Sequence, residues 1–351
     1  MHGMATIANE AEALRSAVAT GTAYKPIYVK LKLVWACNLR CVMCNHWRDH
    51  RAPALRMDHW GPVIDELAAL GCEKLHISGG EPTLHPDLLA VIARAAANGM
   101  RVTMTTNATR IDKAYARALA DSGLHGVNVS IDSPQKRLHD KIRGVKGSWK
   151  QTVAGADYLA RCLRAGRLRI NTVVTRTNYA SLVDLPALAS QIGAGSISLI
   201  PVDMNTPDIR PLRIRHLRDY NQRIAPVIAA QGLAAGLIQT EAEAYPFGTT
   251  AADLQRSLTG RYAQNYYAAQ RCYAPWMHAL IDHVGQVMVC CMLREGPVLG
   301  DLRQDSFAAI WSGDGFARLR QQTTRPLFPT CLSCDMFTAI NQQIDGLIAN
   351  V

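Results

Sequence analysis

The chain has 351 residues, of which 48% are hydrophobic and 19% charged, and its formal net charge is +10. That length suits one large domain or a main domain with a smaller appendage, and the composition excludes a disordered chain. No apolar run approaches the length that crosses a bilayer, and the first twenty residues lack the basic and apolar regions of a secretion signal, so a soluble, cytoplasmic protein is expected.

The excess charge is carried by arginine, since only nine lysines are present. A basic balance suits nucleic acid, but no lysine-rich tail or aromatic RNA motif accompanies it, so an anionic substrate is the better expectation. Ten cysteines would form a disulfide scaffold only in a small secreted chain. Here they fall into an N-terminal trio, a C-terminal group and the isolated Cys72 and Cys162, which read as small buried hydrophobes. Such clustering favours metal ligation.

In chain order, Glu10, Glu12 and Arg15 mark a short solvated helix. From Ile27 to Val202, short β-branched runs alternate with helical periodicity. The runs are Ile27–Val34, Lys74–Ser78, Arg101–Thr106, Gly126–Ile131, Arg169–Val174 and Ser196–Val202. One helix starts at Asp58, an N-cap residue, and stops at Gly71; others are expected at about Pro86–Asn98, Asp112–Asp121, Ser148–Ala165 and Tyr179–Ile192. Six β/α units in a row imply a parallel sheet with helices outside it, either doubly wound or a barrel, complete or partial. In any of these, functional residues gather at strand C-terminal ends. The notable side chains obey this: a cysteine trio follows the first strand, Gly79-Gly80-Glu81-Pro82 the second, Asn107 the third, Asp132-Ser133 the fourth and Thr175-Arg176 the fifth.

The trio is Cys37-x3-Cys41-x2-Cys44. A structural zinc site closes with four ligands, usually from two separated pairs. Three thiolates on one loop, with no fourth nearby, instead suit an iron–sulfur cubane whose fourth iron is open to another ligand.

After Val202 the alternation ends. The segment from Arg210 to Arg223 places Leu212, Leu217, Tyr220 and Ile224 on one side, which predicts an amphipathic helix with a solvated arginine face. Beyond it, Trp276–Val284, Gly285-Gln286 and Val287–Cys291 read as a β-hairpin, followed by a helix near Phe307–Arg320 and then Cys331-x2-Cys334. Cys272, Cys290 or Cys291, Cys331 and Cys334 supply four thiolates, which zinc or a cluster would accept equally.

The trio, with Gly79-Gly80-Glu81-Pro82 placed 35 residues after Cys44, resembles the cluster motif and SAM-amino-group motif of the radical SAM superfamily. The resemblance implies a partial (β/α)6 TIM-like barrel with a small C-terminal α+β auxiliary iron–sulfur domain. Cys272, Gly285 and Cys290, with twelve residues before the glycine and four after, resemble the first half of the SPASM/twitch extension and favour Cys290 over Cys291. The shortage of further cysteines points to the shorter twitch type. Two [4Fe–4S] clusters are thus implied: a SAM-binding one on Cys37, Cys41 and Cys44, and an auxiliary one on Cys272, Cys290, Cys331 and Cys334. By the same resemblance, Glu81 and the backbone of Gly79 and Gly80 meet the SAM amino group, Met43 the adenine, and Arg143 the SAM carboxylate. Asn107, Ser130 and Asp132 stand at strand ends that line the cofactor.

The expected domains are an N-terminal helical extension (1–25), the barrel core (26–205), a helical connector (206–270) and the auxiliary-cluster domain (271–351). The chemistry implied is reductive cleavage of SAM to a 5′-deoxyadenosyl radical that abstracts hydrogen, with a flavodoxin or ferredoxin-type electron donor. The first expectation for substrate is a small molecule of secondary metabolism (a sugar, aminocyclitol or nucleoside) that is dehydrogenated, epimerised or decarboxylated. Modification of a ribosomal peptide is the alternative; only 36 residues precede Cys37, too few for a peptide-recognition domain ahead of it. A zinc-stabilised RNA-binding module is the alternative of another class. No catalytic acid or base is singled out among His46, His85, Asp203 and Arg176.

Overall fold

The computed structural model describes residues 4–48, 52–203, 212–293, 296–335 and 337–349. Its strands are β1 (Tyr28–Val34), β2 (Lys74–Gly79), β3 (Arg101–Thr106), β4 (Gly126–Ser130), β5 (Leu168–Val174), β6 (Ser196–Pro201), β7 (His278–Ile281), β8 (Gln286–Met288) and β9 (Gly300–Asp301). The six strands expected from β-branched runs are all present, each end within one residue of its expected place. Two compact units emerge, one comprising Met1–Trp35, Ala52–Thr103 and Asn265–Val351, the other Ala36–Arg51 and Met104–Gln264. β3 runs across the division.

In the first unit β1 is central. It pairs in parallel with β2, from Tyr28 opposite Lys74 to Lys32 opposite Ser78, and on its other edge with β7, from Tyr28 opposite His278 to Leu31 opposite Ile281. β7 and β8 form the expected hairpin, and β9 adds antiparallel to β8. The hairpin therefore continues the sheet of this unit through β7. In the second unit β4, β5 and β6 are parallel neighbours. On β1 the buried Val29, Leu31 and Leu33 alternate with the half-buried Lys30 and Lys32. Period-two alternation of this kind gives the strand one apolar and one polar face.

The N-terminal segment differs from the solvated helix expected. Helices Met4–Asn9 and Ala11–Thr20 bury Ile7, Leu14 and Ala17 in one cluster with Ile27, Tyr273, Trp276, Met277 and Ile344. Trp276 donates its indole N–H to the Ala17 carbonyl at 3.1 Å. The charged residues that suggested solvation occupy only the outer face, where Glu10 accepts from Tyr24 and Lys25.

Two expected helices break for local reasons. The run near Phe307–Arg320 is two helices, Phe307–Ser312 and Asp314–Gln321, separated by Gly313 in an extended conformation. The run from Tyr179 starts as a 3-10 turn to Asp184 and becomes α-helical at Leu185–Ile192, with Pro186 in its first turn, where a missing N–H costs nothing. The helix expected around Arg210–Arg223 begins at Ile214, and residues 204–211, which include Arg210 and the expected 205/206 domain boundary, lie outside the described residues. Its apolar side is as expected: Leu212, Leu217, Tyr220 and Ile224 are buried.

Candidate functional site

The second unit carries the cysteine trio on an irregular loop after β1, fixed by backbone bonds to the end of helix Lys136–Arg143. Arg40 N–H donates to the Arg143 carbonyl and Val42 N–H to that of Ile142, both at 3.0 Å. Gly144, at φ +71°, ends that helix, and a Cβ there would stand 2.3 Å from the Arg40 carbonyl oxygen. Glycine is thus required both by backbone conformation and by the closeness of the loop. Cys44 N–H closes a turn on the Cys41 carbonyl, and the Trp47 indole N–H donates to the same carbonyl at 3.0 Å.

Around the thiols, Arg143 and Asp132 come together. The guanidinium lies 2.7 Å from Asp132 and directs Nη1 to Cys41 Sγ at 3.7 Å. Burial pushes the Cys41 thiol up from its ordinary value, opposed by Arg143. Burial likewise pushes Asp132 up, against the pull of Arg143, while Arg143 itself is raised because Asp132 and Cys41 outweigh its own burial. Asp132 spends its other oxygen on the Val173 N–H at 3.0 Å. Asn178, buried and not foreseen from the sequence, donates to the carbonyls of both Asp132 and Val173, tying the end of β4 to β5. Asn107 reaches the other end of the cysteine loop: its Nδ2 donates to Asn38 Oδ1 at 2.9 Å and lies 4.0 Å from Cys37 Sγ. Ser130 is half-buried at the end of β4, and Met43 is half-buried on the cysteine loop.

The first unit carries the Gly-Gly-Glu segment. Gly79 has φ +128°, and a Cβ on it would meet the Val34 carbonyl oxygen at 2.1 Å; the Gly80 N–H donates to that oxygen at 2.8 Å. Glu81 is 1% exposed, and its Oε1 accepts from the Thr83 N–H and hydroxyl. Of the candidate bases, His85 has both nitrogens committed, Nε2 to the Leu55 carbonyl and Nδ1 to the Asp87 N–H. His46 Nδ1 lies 3.3 Å from Cys44 Sγ.

The same unit gathers the C-terminal cysteines. Cys272 feels Cys331 and Cys334, and Cys290 feels Cys291, Cys272 and Cys331. Burial pushes the thiols of Cys272, Cys290 and Cys331 up. Cys334 N–H donates to the Cys331 carbonyl, the same closure that joins Cys44 to Cys41. Asn341, on helix Thr338–Ala349, holds the surroundings: it accepts from the Tyr273 N–H at 2.8 Å, donates to the Tyr267 hydroxyl at 2.7 Å and eases the Cys272 thiol downward. No sequence signal marked it. Among the described residues, no three His, Cys, Asp or Glu side chains close into a group that could hold one metal ion.

The donor sets fit the groups that the sequence implies. Both are thiol-only, and buried thiols ionise at a cost that a bound cationic centre offsets. The trio adds a guanidinium beside Cys41 that suits the negative charge of a thiolate-bound cluster. The buried Glu81 carboxyl suits an amine.

Comparison with known proteins agrees. Residues 35–189 match the radical SAM superfamily model, and residues 272–335 match the model of an iron–sulfur cluster-binding domain, SPASM. The chain is 30% identical over 319 residues to a PqqA peptide cyclase of Ruegeria pomeroyi, covering 88% of this chain and 80% of that one. It is 28% identical over 309 residues to an AdoMet-dependent heme synthase of Methanosarcina barkeri, covering 84% and 85%. In fold it resembles Streptococcus suis SuiB bound to S-adenosylmethionine, with a TM-score of 0.68 at 18% identity over 99% of this chain and 77% of that one; SuiB is also known bound to precursor peptide SuiA. This is the α/β partial-barrel fold with a parallel sheet and a C-terminal auxiliary domain. The chain belongs to the radical SAM superfamily and carries a SPASM/twitch iron–sulfur cluster domain.

Proposed function

We propose that this enzyme modifies a peptide, using S-adenosylmethionine and [4Fe–4S] clusters, which are the cofactors of its family. The observation that carries the reading is the match to a PqqA peptide cyclase, which covers 88% of this chain and 80% of that one. The sugar, aminocyclitol or nucleoside first expected has no counterpart among the relatives named above. The RNA-binding alternative falls away, because the C-terminal cysteines lie in a domain of an iron–sulfur family.

When bound, the cluster at the trio supplies the electron that cleaves SAM to the hydrogen-abstracting radical. In this reading Cys37, Cys41 and Cys44 hold that cluster. Glu81 and the backbone of Gly79 and Gly80 take the SAM amino group. Arg143 has five donors, enough to serve Cys41 and the SAM carboxylate together. Asp132 holds Arg143 in place; Asn107 steadies the Cys37 end of the loop; Met43 and Ser130 line the cofactor. Cys272, Cys290, Cys331 and Cys334 hold one auxiliary cluster, as in the twitch type, and leave it no open iron. The protein's own contribution is to orient a C–H bond and to exclude water.

The test is anaerobic turnover with deuterated candidate peptides, reading label in 5′-deoxyadenosine and loss of hydrogen from the peptide. Label transfer from a peptide is expected. The heme synthase match favours a second reading, a non-peptide substrate. Transfer from a tetrapyrrole and from no peptide would replace the first reading by the second.

A further inference from the structure

In the second unit, Arg176 stands two residues beyond β5, on a turn that Asn178 closes. Asn178 Oδ1 accepts from the Thr175 N–H at 2.7 Å and from its hydroxyl at 2.9 Å, and the Tyr179 N–H donates to the Thr175 carbonyl at 3.1 Å. Asn178 also donates to the Asp132 carbonyl, so the turn is built onto the chain that carries the partner of Arg143. The helix that begins at Ile214 packs here, with the Tyr179 and His216 rings 5.6 Å apart. It passes through a π-turn at Tyr220–Ile224 before continuing as Ala225–Ala234, a distortion that recurs at functional sites. His216 is buried, and its Nδ1 accepts from the Arg213 N–H at 2.9 Å. Burial pushes this ring down from its ordinary value, with Arg176, Arg215 and Arg213 adding to the shift and Asp219 opposing it. A neutral ring that accepts at Nδ1 carries its proton on Nε2, and Arg215 Nε lies 3.4 Å from that nitrogen. Two N–H donors thus converge, a geometry that an oxygen anion beside them satisfies. Asp219 is already engaged by Arg223 at 3.1 Å and bears on the Tyr179 hydroxyl. Among the described residues, Arg176, Arg213 and Arg215 make no ion pair with a carboxylate.

We propose that Arg176, Arg215 and His216 form a substrate subsite that binds a carboxylate, supplied by an acidic side chain of the peptide. The source of the carboxylate rests on the peptide reading above. A carboxylate is planar and offers two oxygens, one set for the fork of a guanidinium and one for the His216 Nε2–H. Arginine suits such a site better than lysine, because its donors are fixed in a plane. The local excess of guanidiniums over Asp219 also draws an acidic segment toward the strand ends before it docks. The subsite binds and orients; no bond is made or broken there and no proton moves.

The experiment titrates the anaerobically purified holoprotein calorimetrically with octaglutamate and with octaglutamine, and repeats the titrations at several salt concentrations. Inorganic phosphate and a tetracarboxylate porphyrin serve as competitors. Octaglutamate should bind about tenfold more tightly than octaglutamine, with a preference that shrinks as salt rises. Arg176→Gln/Arg215→Gln should abolish the preference, and Arg176→Lys/Arg215→Lys should leave it intermediate, because lysine restores the charge but not the fork. Arg218→Gln, which removes the same charge from the next turn, should leave the preference in place. Iron content and dithionite-driven SAM cleavage should be unchanged in all variants, which separates loss of the subsite from loss of the fold. The proposal is overturned if the two peptides bind alike, if the double glutamine variant keeps the preference, or if Arg218→Gln weakens it equally. Displacement of octaglutamate by phosphate at equal concentration would also overturn it and make this a phosphate site. Equal binding of the two peptides together with label transfer from a peptide would remove the subsite and leave the peptide reading standing. Porphyrin binding that the double glutamine variant loses, without binding of octaglutamate, would overturn the peptide as the source of the carboxylate and count against the peptide reading itself.

Discussion

Arg143 and Asp132 form an ion pair at 2.7 Å in which Asp132 is wholly buried and Arg143 is 8% exposed. The same guanidinium points Nη1 at Cys41 Sγ, so the pair ties the chain just after β4 to Cys41, a proposed cluster ligand. Removing one partner of a buried pair leaves an uncompensated charge and costs about 3–5 kcal/mol. Asp132→Asn should therefore lower unfolding stability by about that amount, with a smaller loss when Arg143→Met is added. Additive losses in the double-mutant cycle would show that the two do not act as a pair.

The contact to Cys41 has a redox consequence. A cation beside a thiolate ligand favours the more negative, reduced cluster, so its removal lowers the potential. Arg143→Gln should lower the midpoint of the SAM-binding cluster by on the order of 60–130 mV, the one-electron equivalent of a charge-assisted hydrogen bond of about 1.5–3 kcal/mol. An unchanged midpoint in a spectroscopically monitored titration would remove Arg143 from the electrostatics of the site.

Gly144 tests how tightly the loop is seated. A Cβ there would stand 2.3 Å from the Arg40 carbonyl oxygen, whereas at Gly99, with φ +80°, it would meet nothing within 4 Å. Gly99→Ala should cost about 1 kcal/mol from the left-handed conformation alone. Gly144→Ala should cost about 2–4 kcal/mol, adding overpacking of the backbone, and should impair loading of the trio's cluster. Equal costs at the two sites would refute the seating of the loop on Gly144.

These contacts also show what the sequence could and could not convey. Strand positions were legible because β-branched runs and their alternation are local. The trio and Gly79-Gly80-Glu81 were legible because their spacing is local too. The partners that organise them are not. Asn178 lies 46 residues from the Asp132 carbonyl it holds, and Asn341 lies 69 from Cys272, so no window contains either pair. The N-terminal helix was misread as solvated because its charges are visible in the sequence, whereas the Trp276 and Ile344 that cover its apolar side are some 260 residues or more away.

His278 sets a pH dependence. Its Nδ1–H donates to the Tyr28 carbonyl at 2.7 Å, and its ring packs against Tyr28 and Phe337. Burial pushes it down to about 3, with Lys30 and Lys74 adding to the shift and the Tyr28 bond opposing it. The folded state thus holds a neutral ring where the unfolded chain binds a proton below about 6.5, so stability is present above that pH and is lost as pH falls toward 3. The loss from this site should approach about 1.4 kcal/mol per pH unit below 6.5. His278→Asn keeps a donor for Tyr28 and should flatten the dependence by that slope in denaturant titrations from pH 7.5 to 5. Parallel curves for the two proteins would mean that His278 is not held neutral.

Cys290 and Cys291 are adjacent in sequence and differ in burial, Cys290 being buried and Cys291 half-buried. Cys290 is 9% exposed and is raised by burial, with Cys291 and then Cys272 and Cys331 acting on it, whereas Cys291 also bears on the hydroxyl of Tyr28. A cluster ligand shares its space with the other thiols, and Cys272 and Cys331 act on Cys290, which supports Cys290 as the proposed ligand. With two [4Fe–4S] clusters the wild type should hold about eight irons per chain, Cys290→Ala about four to five, and Cys291→Ala about eight. Cys331→Ala/Cys334→Ala should match Cys290→Ala, because loss of ligands from one cubane releases the same four irons. If Cys291→Ala loses the auxiliary cluster while Cys290→Ala keeps it, Cys291 is the ligand and the proposed set is wrong at that position.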